Sequence, residues 1–407
     1  MAGKQNLKMR LRYCTIIKLL EINRLKIGAL MNKKLIALIS LAISLIPVTA
    51  FAAPAPLNIS AKAAIVMVAS TGEILFEKNA SEQRYPASTT KMMTIITALE
   101  DGKLDDMVST SFNAANTEGS SMYLLAAERL KLKDMLYGVA LVSGNDAAVA
   151  IAEHIAGSAA NFARLMTEKA HRIGATRTNF TNPSGLPDPR HYSTAYDLAR
   201  IAAYGYKNPK FAEIVGTVHT DIVRNNIRET YYNENKLLNL YRGANGVKTG
   251  YTDAAGRCLV SSAKRGNTQV IAVVLDADFM WEDSMTLLDY GFNQLRENTV
   301  VQAGEVVDTV QVTYGKSGAA PVATRGSIVV PVSKNSEAAL QVVVDVARTV
   351  AAPVVAGQTV GVVKVVYRGQ EVASTELIVT ESIQRKSLLA RIREYFAHFF
   401  IGGWASA

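Results

Sequence analysis

The chain has 407 residues, of which 49% are hydrophobic and 19% are charged, a composition typical of a well-packed globular protein of two or three domains. Its formal net charge of +9 suggests a nucleic-acid or membrane partner, but residues 1–52 alone carry +8, from nine Lys or Arg and one Glu. Residues 53–407 carry only +1. The basic charge therefore belongs to one segment, and composition gives no support to a nucleic-acid partner.

The first 52 residues have the pattern of an export signal. From Met31 the chain reads Met-Asn-Lys-Lys, followed by an apolar run at 35–48 and by Ala-Phe-Ala, which ends at Ala52. A basic start, an apolar core and a small-residue cleavage site are the parts of a secretory signal peptide. We therefore expect a true start at Met31, cleavage after Ala52 and an exported mature protein. An uncleaved transmembrane anchor is the alternative, and the short apolar run argues against it.

Residues 61–297 predict one mixed α/β (α+β) domain, which a Pro/Ala-rich tether at 53–60 joins to the leader. The predicted elements, in chain order, are a hairpin at 63–76, helices after Ser88, within 122–158, at 158–173 and at 195–205, strands at 246–251, 257–263 and 269–276, and a closing helix at 281–296. Short turns between the last three strands predict an antiparallel meander. The sheet is therefore expected to combine both ends of the segment, with a helical block between them in sequence.

Residues 298–380 predict a separate, small all-β domain. Val and Ala dominate this segment, and strand-like runs recur between Gly or Pro residues, at 306–313, 327–331, 340–346, 359–367 and 371–379. The following 381–407 segment places Leu, Ile and Phe at helical spacing beside four basic residues. This pattern is typical of an amphipathic helix that lies on a membrane surface. A helix that packs back on the protein is the alternative.

The first motif, Ser88-Thr89-Thr90-Lys91, supplies a candidate nucleophile and its base. A serine hydroxyl becomes reactive when a base takes its proton, and residues three apart share one face of a helix. We therefore predict Ser88 beside Lys91 at the start of a helix, where free backbone N–H groups face the reaction centre. Lysine is a base only when neutral, which burial and a nearby cation both favour, and Lys248 is the candidate cation.

The second motif is Ser143-Gly144-Asn145, in a turn that is expected to precede a helix. Ser143 is placed to pass protons between Lys91 and a leaving amine. Asn145 is placed to hydrogen-bond either a substrate amide or Lys91 itself. Since Ser and Asn are also ordinary helix-capping residues, this motif gains meaning only in combination with the other two.

The third motif is Lys248-Thr249-Gly250, on a predicted strand. Lys248 and Thr249 suit a substrate carboxylate, and Gly250 allows another backbone to approach closely. The N–H groups of Tyr251 and Ser88 are candidates for an oxyanion hole, which stabilises the negative oxygen that forms during acyl transfer.

Together the three motifs resemble the set shared by penicillin-binding proteins and class A β-lactamases. Their flanks narrow the resemblance to D-alanyl-D-alanine carboxypeptidases of the penicillin-binding protein 5 type; these flanks are Tyr-Pro-Ala at 85–87, Asn-Asp-Ala at 145–147, His-Tyr-Ser-Thr at 191–194 and Asn-Glu-Asn-Lys-Leu-Leu at 233–238. The resemblance covers the whole mature chain, because that family has a β-lactamase/transpeptidase-like domain, a β-rich second domain and a C-terminal amphipathic anchor.

The resemblance implies a role for each motif residue: an acyl-enzyme on Ser88, a general base in Lys91, a proton relay through Ser143, substrate positioning by Asn145, and binding of the terminal D-alanine carboxylate by Lys248 and Thr249. The implied partners are a peptidoglycan stem pentapeptide, β-lactams as covalent inhibitors, and the membrane surface through the C-terminal helix, on the outer face of the cytoplasmic membrane. No cofactor is implied. One departure is Tyr251, where relatives often carry His, and its consequence would fall on deacylation.

A secreted serine β-lactamase, a D,D-endopeptidase and an inactive wall-binding or scaffold protein are the alternatives. Class A β-lactamases use a deacylating Glu in a Glu-x-x-x-Asn pattern a few dozen residues after the second motif. The match here, Glu229 to Asn233, falls 86 residues after Ser143. The five His residues lack the H-E-x-x-H spacing of a zinc peptidase, so no metal is expected. Cys14 lies in the leader, which leaves Cys258 as an expected buried residue without a disulfide partner.

Overall fold

The computed structural model describes residues 57–333 and 336–393. The leader predicted at 1–52 and residues 394–407 of the predicted anchor lie outside these ranges. The helices, in chain order, are α1 (Lys91–Asp101), α2 (Phe112–Ala115), α3 (Leu132–Leu141), α4 (Asn145–Ala156), α5 (Ala159–Arg172), α6 (Ala195–Gly205), α7 (Pro209–Gly216), α8 (Leu237–Leu240) and α9 (Met280–Gln294).

The strands form two groups along the chain. The first group lies within residues 63–275, together with the helices, and the second lies within residues 295–379. In chain order they are β1 (Ala63–Val68), β2 (Ile74–Lys78), β3 (Met107–Ser109), β4 (Arg129–Lys131), β5 (His219–Arg224), β6 (Ile227–Tyr232), β7 (Ala244–Thr252), β8 (Gly256–Arg265), β9 (Thr268–Leu275), β10 (Leu295–Val301), β11 (Val306–Thr313), β12 (Ala319–Thr324), β13 (Ile328–Ser333), β14 (Leu340–Val346), β15 (Thr349–Ala351), β16 (Thr359–Tyr367) and β17 (Gln370–Val379). Single 3₁₀ turns occupy Ala87–Thr90 and Glu337–Ala339.

An antiparallel five-stranded sheet forms the base of the first region, in the order β2-β1-β9-β8-β7. It joins the N-terminal hairpin to the later meander, which confirms that the sheet combines both ends of this region. Strand β7, which carries Lys248-Thr249-Gly250, is the outermost strand on one side. Its free edge is therefore available to a substrate backbone.

The central strands of this sheet are buried on both faces. Ile65 and Met67 of β1 join the core beneath the helical block. Val66, which points to the opposite face, packs against α9, where a Cβ atom at Gly291 would lie 2.8 Å from Val66 Cγ1. Helices on both faces explain why β1 is apolar throughout and does not alternate apolar with polar residues.

The predicted helix within 122–158 differs from the structure at its start. Helix α3 begins only at Leu132, because residues 129–131 form β4, which pairs with β3. The preceding loop is fixed by the Asp146 carboxylate, which accepts hydrogen bonds of 3.0 Å from the N–H groups of Met122 and Leu124. Leu130 and Leu132 are both buried, but Leu130 belongs to a strand and Leu132 to a helix.

The hairpin of β5 and β6 was not predicted from the sequence, although a signal for it exists. Asn225 and Asn226 connect the two strands with φ values of +49° and +64°. A two-residue loop with both φ values positive favours Asn, which tolerates the left-handed conformation. The adjacent Arg224 is buried and paired with Glu128 at 2.8 Å, so this hairpin is fixed to the loop before β4.

The second region is a β structure built largely from Val. Its six-stranded sheet has the order β14-β16-β17-β12-β11-β15, and β10 pairs separately with β13. All five strands predicted here are present, whereas β10, β12 and β15 were missed. The region begins with β10 at Leu295, three residues before the expected boundary at 298. The chain then continues into a helix at 388–393. Within the described residues, no helix is long and apolar enough to cross a bilayer.

Residues 57–60, the described part of the predicted tether, are packed and do not form a free linker. Ser60 Oγ donates to Asp283 Oδ2 at 2.6 Å, and the Ala61 N–H donates to the same oxygen at 2.8 Å. Ile59 is buried. Since Asp283 lies in the first turn of α9, the start of the domain is fixed to its closing helix.

A buried carboxylate connects the two regions. Glu73, in the turn between β1 and β2, is only 4% exposed. It accepts hydrogen bonds from Ser333 Oγ at 2.5 Å, from the Ser333 N–H at 3.1 Å and from Ser336 Oγ at 2.6 Å. Since buried polar groups are stable only when they are paired, Glu73 and the two serines fix the second region against the first.

We predict that Glu73→Ala lowers the free energy of unfolding by about 2 kcal/mol, because it leaves buried hydrogen-bond donors unpaired. The measurement is urea unfolding followed by circular dichroism. Glu77→Ala is the matched control, since Glu77 is exposed on β2. It should change the free energy of unfolding by less than about 0.5 kcal/mol. Equal unfolding midpoints for the two variants would contradict this role of Glu73.

Candidate active site

The first motif straddles the junction between a 3₁₀ turn and a helix. Ser88 lies in the turn Ala87–Thr90, and Lys91 is the first residue of α1. The predicted neighbourhood is confirmed, since Lys91 Nζ lies 2.8 Å from Ser88 Oγ. The α-helix itself begins three residues later than expected, so the nucleophile sits in the tighter turn.

Two glycines allow the backbone to close around the turn that carries Ser88. A Cβ atom at Gly250 would lie 3.0 Å from the Ser88 nitrogen, and one at Gly185 would lie 1.9 Å from the Ala87 carbonyl oxygen. Gly185 also has a φ of +89°. Any larger residue at these positions would push strand β7 or the 181–186 loop away from Ser88. The close backbone approach that the sequence predicted at Gly250 is therefore present, and it explains why the third motif ends in glycine.

Lys91 is buried completely and surrounded by oxygen atoms. Besides Ser88 Oγ, its Nζ contacts Asn145 Oδ1 at 2.6 Å and the Ser184 carbonyl oxygen at 2.7 Å. Burial lowers the pKa of Lys91 well below its usual value, and the nearby Lys248 cation lowers it further. The carboxylates of Glu234 and Asp146 oppose these effects. The site therefore favours the neutral amine that a general base requires.

The second motif supplies one buried hydroxyl and one amide that contacts Lys91. Ser143 lies between α3 and α4 with a φ of +60°, and its buried Oγ has no hydrogen-bond partner among the described residues. Asn145 begins α4; its Oδ1 accepts from Lys91 and its Nδ2 donates to the Glu118 carbonyl at 2.6 Å. The sequence allowed Asn145 to hydrogen-bond either a substrate amide or Lys91, and the structure shows the hydrogen bond with Lys91.

The third motif places a buried lysine on the outermost strand of the sheet. Lys248 on β7 is 1% exposed, and its Nζ donates to Thr249 Oγ1 at 3.3 Å. Burial lowers its pKa to about 8, and Glu234 acts in the opposite direction. The Glu234 carboxylate lies 3.9 Å from Lys248 Nζ. The counter-charge of this buried lysine is therefore a half-exposed carboxylate 3.9 Å away.

The exposed side chain of Tyr251 extends from the site toward solvent. It is 60% exposed, and its hydroxyl donates to Asp253 at 2.8 Å. The Arg257 guanidinium lies 6.0 Å from its ring centre. If residue 251 takes part at the reaction centre, it therefore does so through its backbone.

Sequence reasoning missed the 181–186 loop, which supplies a ligand to Lys91. The Ser184 carbonyl accepts from Lys91, and Asn182 fixes the loop in which this carbonyl lies. Asn182 Oδ1 accepts from the backbone N–H groups of Ser184, Gly185 and Leu186, at 3.2, 2.7 and 3.2 Å. Asn-Pro-Ser-Gly was a clear turn signal, but nothing in its residue types identified a backbone carbonyl as a functional group.

His191 is hydrogen-bonded to the turn that carries Ser88. It is 1% exposed, and its Nε2 lies 2.8 Å from Thr90 Oγ1. Because the Thr181 N–H donates to His191 Nδ1, the ring proton is on Nε2 and is donated to Thr90. Burial lowers the pKa of His191 to about 4, so the ring stays neutral and structural at physiological pH.

Two further expectations concern residues outside the three motifs. Glu229, the candidate deacylating residue of the β-lactamase alternative, lies on β6, where its carboxylate accepts from Tyr231 at 2.6 Å and Arg224 at 3.0 Å. Cys258 is buried, as expected, and burial raises the pKa of its thiol to about 12. In the described part of the chain, no group of three or more His, Cys, Asp or Glu is placed to hold a metal ion.

Comparison with known proteins gives the same family for both regions. A family model described as D-alanyl-D-alanine carboxypeptidase, peptidase S11, matches residues 49–279, and the model of the penicillin-binding protein 5 C-terminal domain matches residues 296–385. The D-alanyl-D-alanine carboxypeptidase DacF of Bacillus subtilis is 35% identical over 344 residues, which cover 82% of this chain and 88% of that protein. DacD of Escherichia coli is 31% identical over 363 residues, 85% and 92% of the two chains.

Solved structures agree with the sequence relatives. Penicillin-binding protein 5 from Haemophilus influenzae matches with a TM-score of 0.59 and 32% identity, over 81% of this chain and 99% of that chain. A penicillin-binding protein 3 from Streptococcus pneumoniae, described as a peptidoglycan synthesis regulatory factor, matches with a TM-score of 0.67 and 27% identity, over 80% and 100% of the chains. The chain belongs to the peptidase S11 family of penicillin-binding D-alanyl-D-alanine carboxypeptidases, and it is a serine hydrolase.

Proposed function

We propose that Ser88 is the nucleophile of this carboxypeptidase and that Lys91 is its general base. The observation that carries this assignment is the 2.8 Å separation of Lys91 Nζ and Ser88 Oγ at a fully buried lysine. A neutral amine at this distance accepts the hydroxyl proton as Ser88 Oγ attacks a carbonyl carbon. Burial and the nearby Lys248 lower the pKa of Lys91, which favours the neutral amine that this role requires.

Ser143 is assigned to the leaving amine. Its hydroxyl is buried and has no hydrogen-bond partner among the described residues, so it is free to donate to a substrate. In the proposed sequence, the proton that Lys91 takes from Ser88 passes through Ser143 to the leaving nitrogen. The C–N bond breaks as the Ser88 ester forms. Water then adds to the ester as Lys91 accepts a proton from it. Lys91 returns this proton to Ser88 Oγ as the ester C–O bond breaks, which regenerates Ser88 and releases the shortened peptide.

Lys248 and Thr249 are assigned to the terminal carboxylate of the substrate and are called the carboxylate clamp below. A buried ammonium beside a hydroxyl provides the two donors that a carboxylate needs. Gly250 brings β7 against the Ser88 turn, and the N–H groups of Ser88 and Tyr251 are assigned to the oxyanion hole. Asn145 holds Lys91 and lines the same site.

The proposed substrate is a peptidoglycan stem pentapeptide, from which the enzyme removes the terminal D-alanine. Penicillin binding is expected of the family, and a β-lactam would acylate Ser88 as a substrate mimic. Hydrolysis of cross-linked dimers, fast penicillin turnover and wall binding without chemistry are the competing outcomes of the following test.

We predict that the mature chain releases D-alanine from a defined pentapeptide and that Ser88→Ala lowers the rate by about a thousandfold or more, because the acyl-enzyme is lost. Labelling by a fluorescent penicillin should disappear in the same variant. Ser81→Ala, at an exposed serine, is the control and should keep both activities. Cleavage of a cross-linked dimer in preference to the pentapeptide would contradict the assignment, as would rapid turnover of the penicillin.

Asn182 is proposed as a positioning residue, since it acts on Lys91 through the Ser184 carbonyl. Four donors converge on its Oδ1: three backbone N–H groups and Ser184 Oγ. Its Nδ2 donates to the Leu186 carbonyl at 3.0 Å. The Ser184 carbonyl stabilises the charged form of Lys91, so its location contributes to the pKa of the base.

We predict that Asn182→Ala lowers kcat by about tenfold and shifts the acidic limb of kcat/KM to lower pH. The physical reason is that Lys91 loses an acceptor that stabilises its ammonium, so its pKa falls further. Asn182→Asp keeps the acceptor oxygen and adds a negative charge, so it should recover most of kcat and shift the limb to higher pH. Shifts in the same direction in both variants would contradict the positioning role.

The proposed place of action is outside the cytoplasmic membrane, with the C-terminal segment 381–407 on the membrane surface. The family acts on peptidoglycan, which supports an exported protein. In the described part of the segment, Leu388 and Leu389 are 68% and 80% exposed at the start of the 388–393 helix. Arg385 and Arg391 lie against the Tyr314 ring. Exposed leucines with nearby arginines support a surface that contacts anionic lipid.

We predict that Leu389→Asp weakens binding of the mature chain to phosphatidylglycerol vesicles by about tenfold, because a charge replaces an inserting apolar group. Cosedimentation measures the binding. Val355→Asp is the control, since Val355 is 61% exposed outside the segment. If both variants bind as the parent chain does, or if the parent chain does not bind, the anchor proposal is wrong.

A further inference from the structure

Glu234 occupies a fixed location beside the carboxylate clamp. Its own N–H donates to the Leu141 carbonyl at 3.0 Å. The preceding Asn233 donates through Nδ2 to the Thr217 carbonyl at 2.9 Å and accepts from the Asn235 N–H at 2.9 Å. Both neighbours of Glu234 in the chain are therefore held by hydrogen bonds. The backbone position of Glu234 therefore places its side chain within reach of the carboxylate clamp.

The Glu234 carboxylate contacts both members of the carboxylate clamp. Glu234 Oε2 accepts from Thr249 Oγ1 at 3.3 Å and lies 3.9 Å from Lys248 Nζ. The same oxygen thus faces the two groups that are assigned to the substrate carboxylate. The side chain of Glu234 is 47% exposed, whereas that of Lys248 is 1% exposed. The glutamate is therefore the solvent-facing partner of a buried cation.

The donors of the clamp are limited. A threonine hydroxyl has one hydrogen, and in the free enzyme Thr249 donates it to Glu234. A substrate carboxylate needs the same hydrogen and the same ammonium. Two carboxylates beside one cation also repel each other. Glu234 must therefore give up the clamp before a carboxylate-terminated substrate is bound.

We propose that Glu234 is an internal competitor for the carboxylate clamp and sets the affinity of the enzyme for carboxylate-terminated substrates. This inference rests on the assignment of Lys248 and Thr249 to the substrate carboxylate. In the free enzyme, Glu234 supplies a ligand to a cation that would otherwise be buried with little compensation. During turnover it returns to the clamp when the terminal D-alanine departs, so it opposes rebinding of the product.

The test compares peptides that end in D-Ala-D-Ala with the same peptides ending in D-Ala-D-alaninamide. For Glu234→Gln, we expect KM for the acid to fall by about fivefold while kcat stays near that of the parent chain, because a neutral amide competes less well than a carboxylate. KM for the amide should not change. Glu234→Ala, which removes the competing oxygen as well, should lower KM for the acid at least as far.

Glu77→Gln is the matched control. Glu77 is an exposed carboxylate on β2, at the other edge of the sheet from β7, so the variant removes the same charge far from the carboxylate clamp. It should leave KM for both peptides unchanged. A parallel measurement follows acylation by benzylpenicillin and by its methyl ester; the acid should react about fivefold faster in Glu234→Gln than in the parent chain, and the ester equally fast.

The outcomes separate the inference from the clamp assignment. If the parent chain does not prefer acid over amide, the assignment of Lys248 and Thr249 fails. If the preference exists but Glu234→Gln raises KM for the acid, Glu234 orients Lys248 and the inference is overturned. An unchanged KM for the acid in both Glu234 variants, with thermal midpoints equal to that of the parent chain, overturns it as well.

Discussion

Lys91 has no contact with solvent, and its amine is held by a hydroxyl, an amide oxygen and a backbone carbonyl. These three groups come from the Ser88 turn, from Asn145 and from Ser184, which is 93 positions away. A charged amine would be costly here, so the surroundings favour the neutral form. The Ser88 turn, the start of α4 and the 181–186 loop all meet at this amine. The rest of the domain can be understood as the support that keeps it dry and oriented.

Lys91, Lys248 and Glu234 together set the electrostatics of the site. Lys248 lowers the pKa of Lys91, whereas Glu234 raises the pKa of both lysines. Both lysines are buried, and the proposed function gives them different tasks: Lys91 is assigned to accept protons, and Lys248 is assigned to hold an anion. Glu234 lies at the solvent side of this arrangement, where a charge is screened and is easily displaced.

The scaffold gives this site rigidity through close backbone contacts. Gly250 and Gly185 let a strand and a loop approach the Ser88 turn to distances that a side chain would prevent. The five-stranded sheet behind β7 is covered by helices on both faces, so the edge that carries the clamp has little freedom to move. The β region is held to the same sheet through Glu73, which links the catalytic part to the segment that leads toward the C-terminus.

The sequence by itself determined the chemical identity of the site and most of the regular structure. Three short motifs supplied the residues that are proposed as nucleophile, base and carboxylate clamp. Periodicity predicted α4, α5, α6 and the meander, because a buried face repeats at the spacing of its element. Tertiary structure alone decided which distant groups act on those motifs. The Ser184 carbonyl is a backbone atom, Asn182 acts through a loop, and Glu234 reaches the clamp from a separate segment. No residue pattern encodes such contacts, because they depend on how segments far apart in the chain pack against each other.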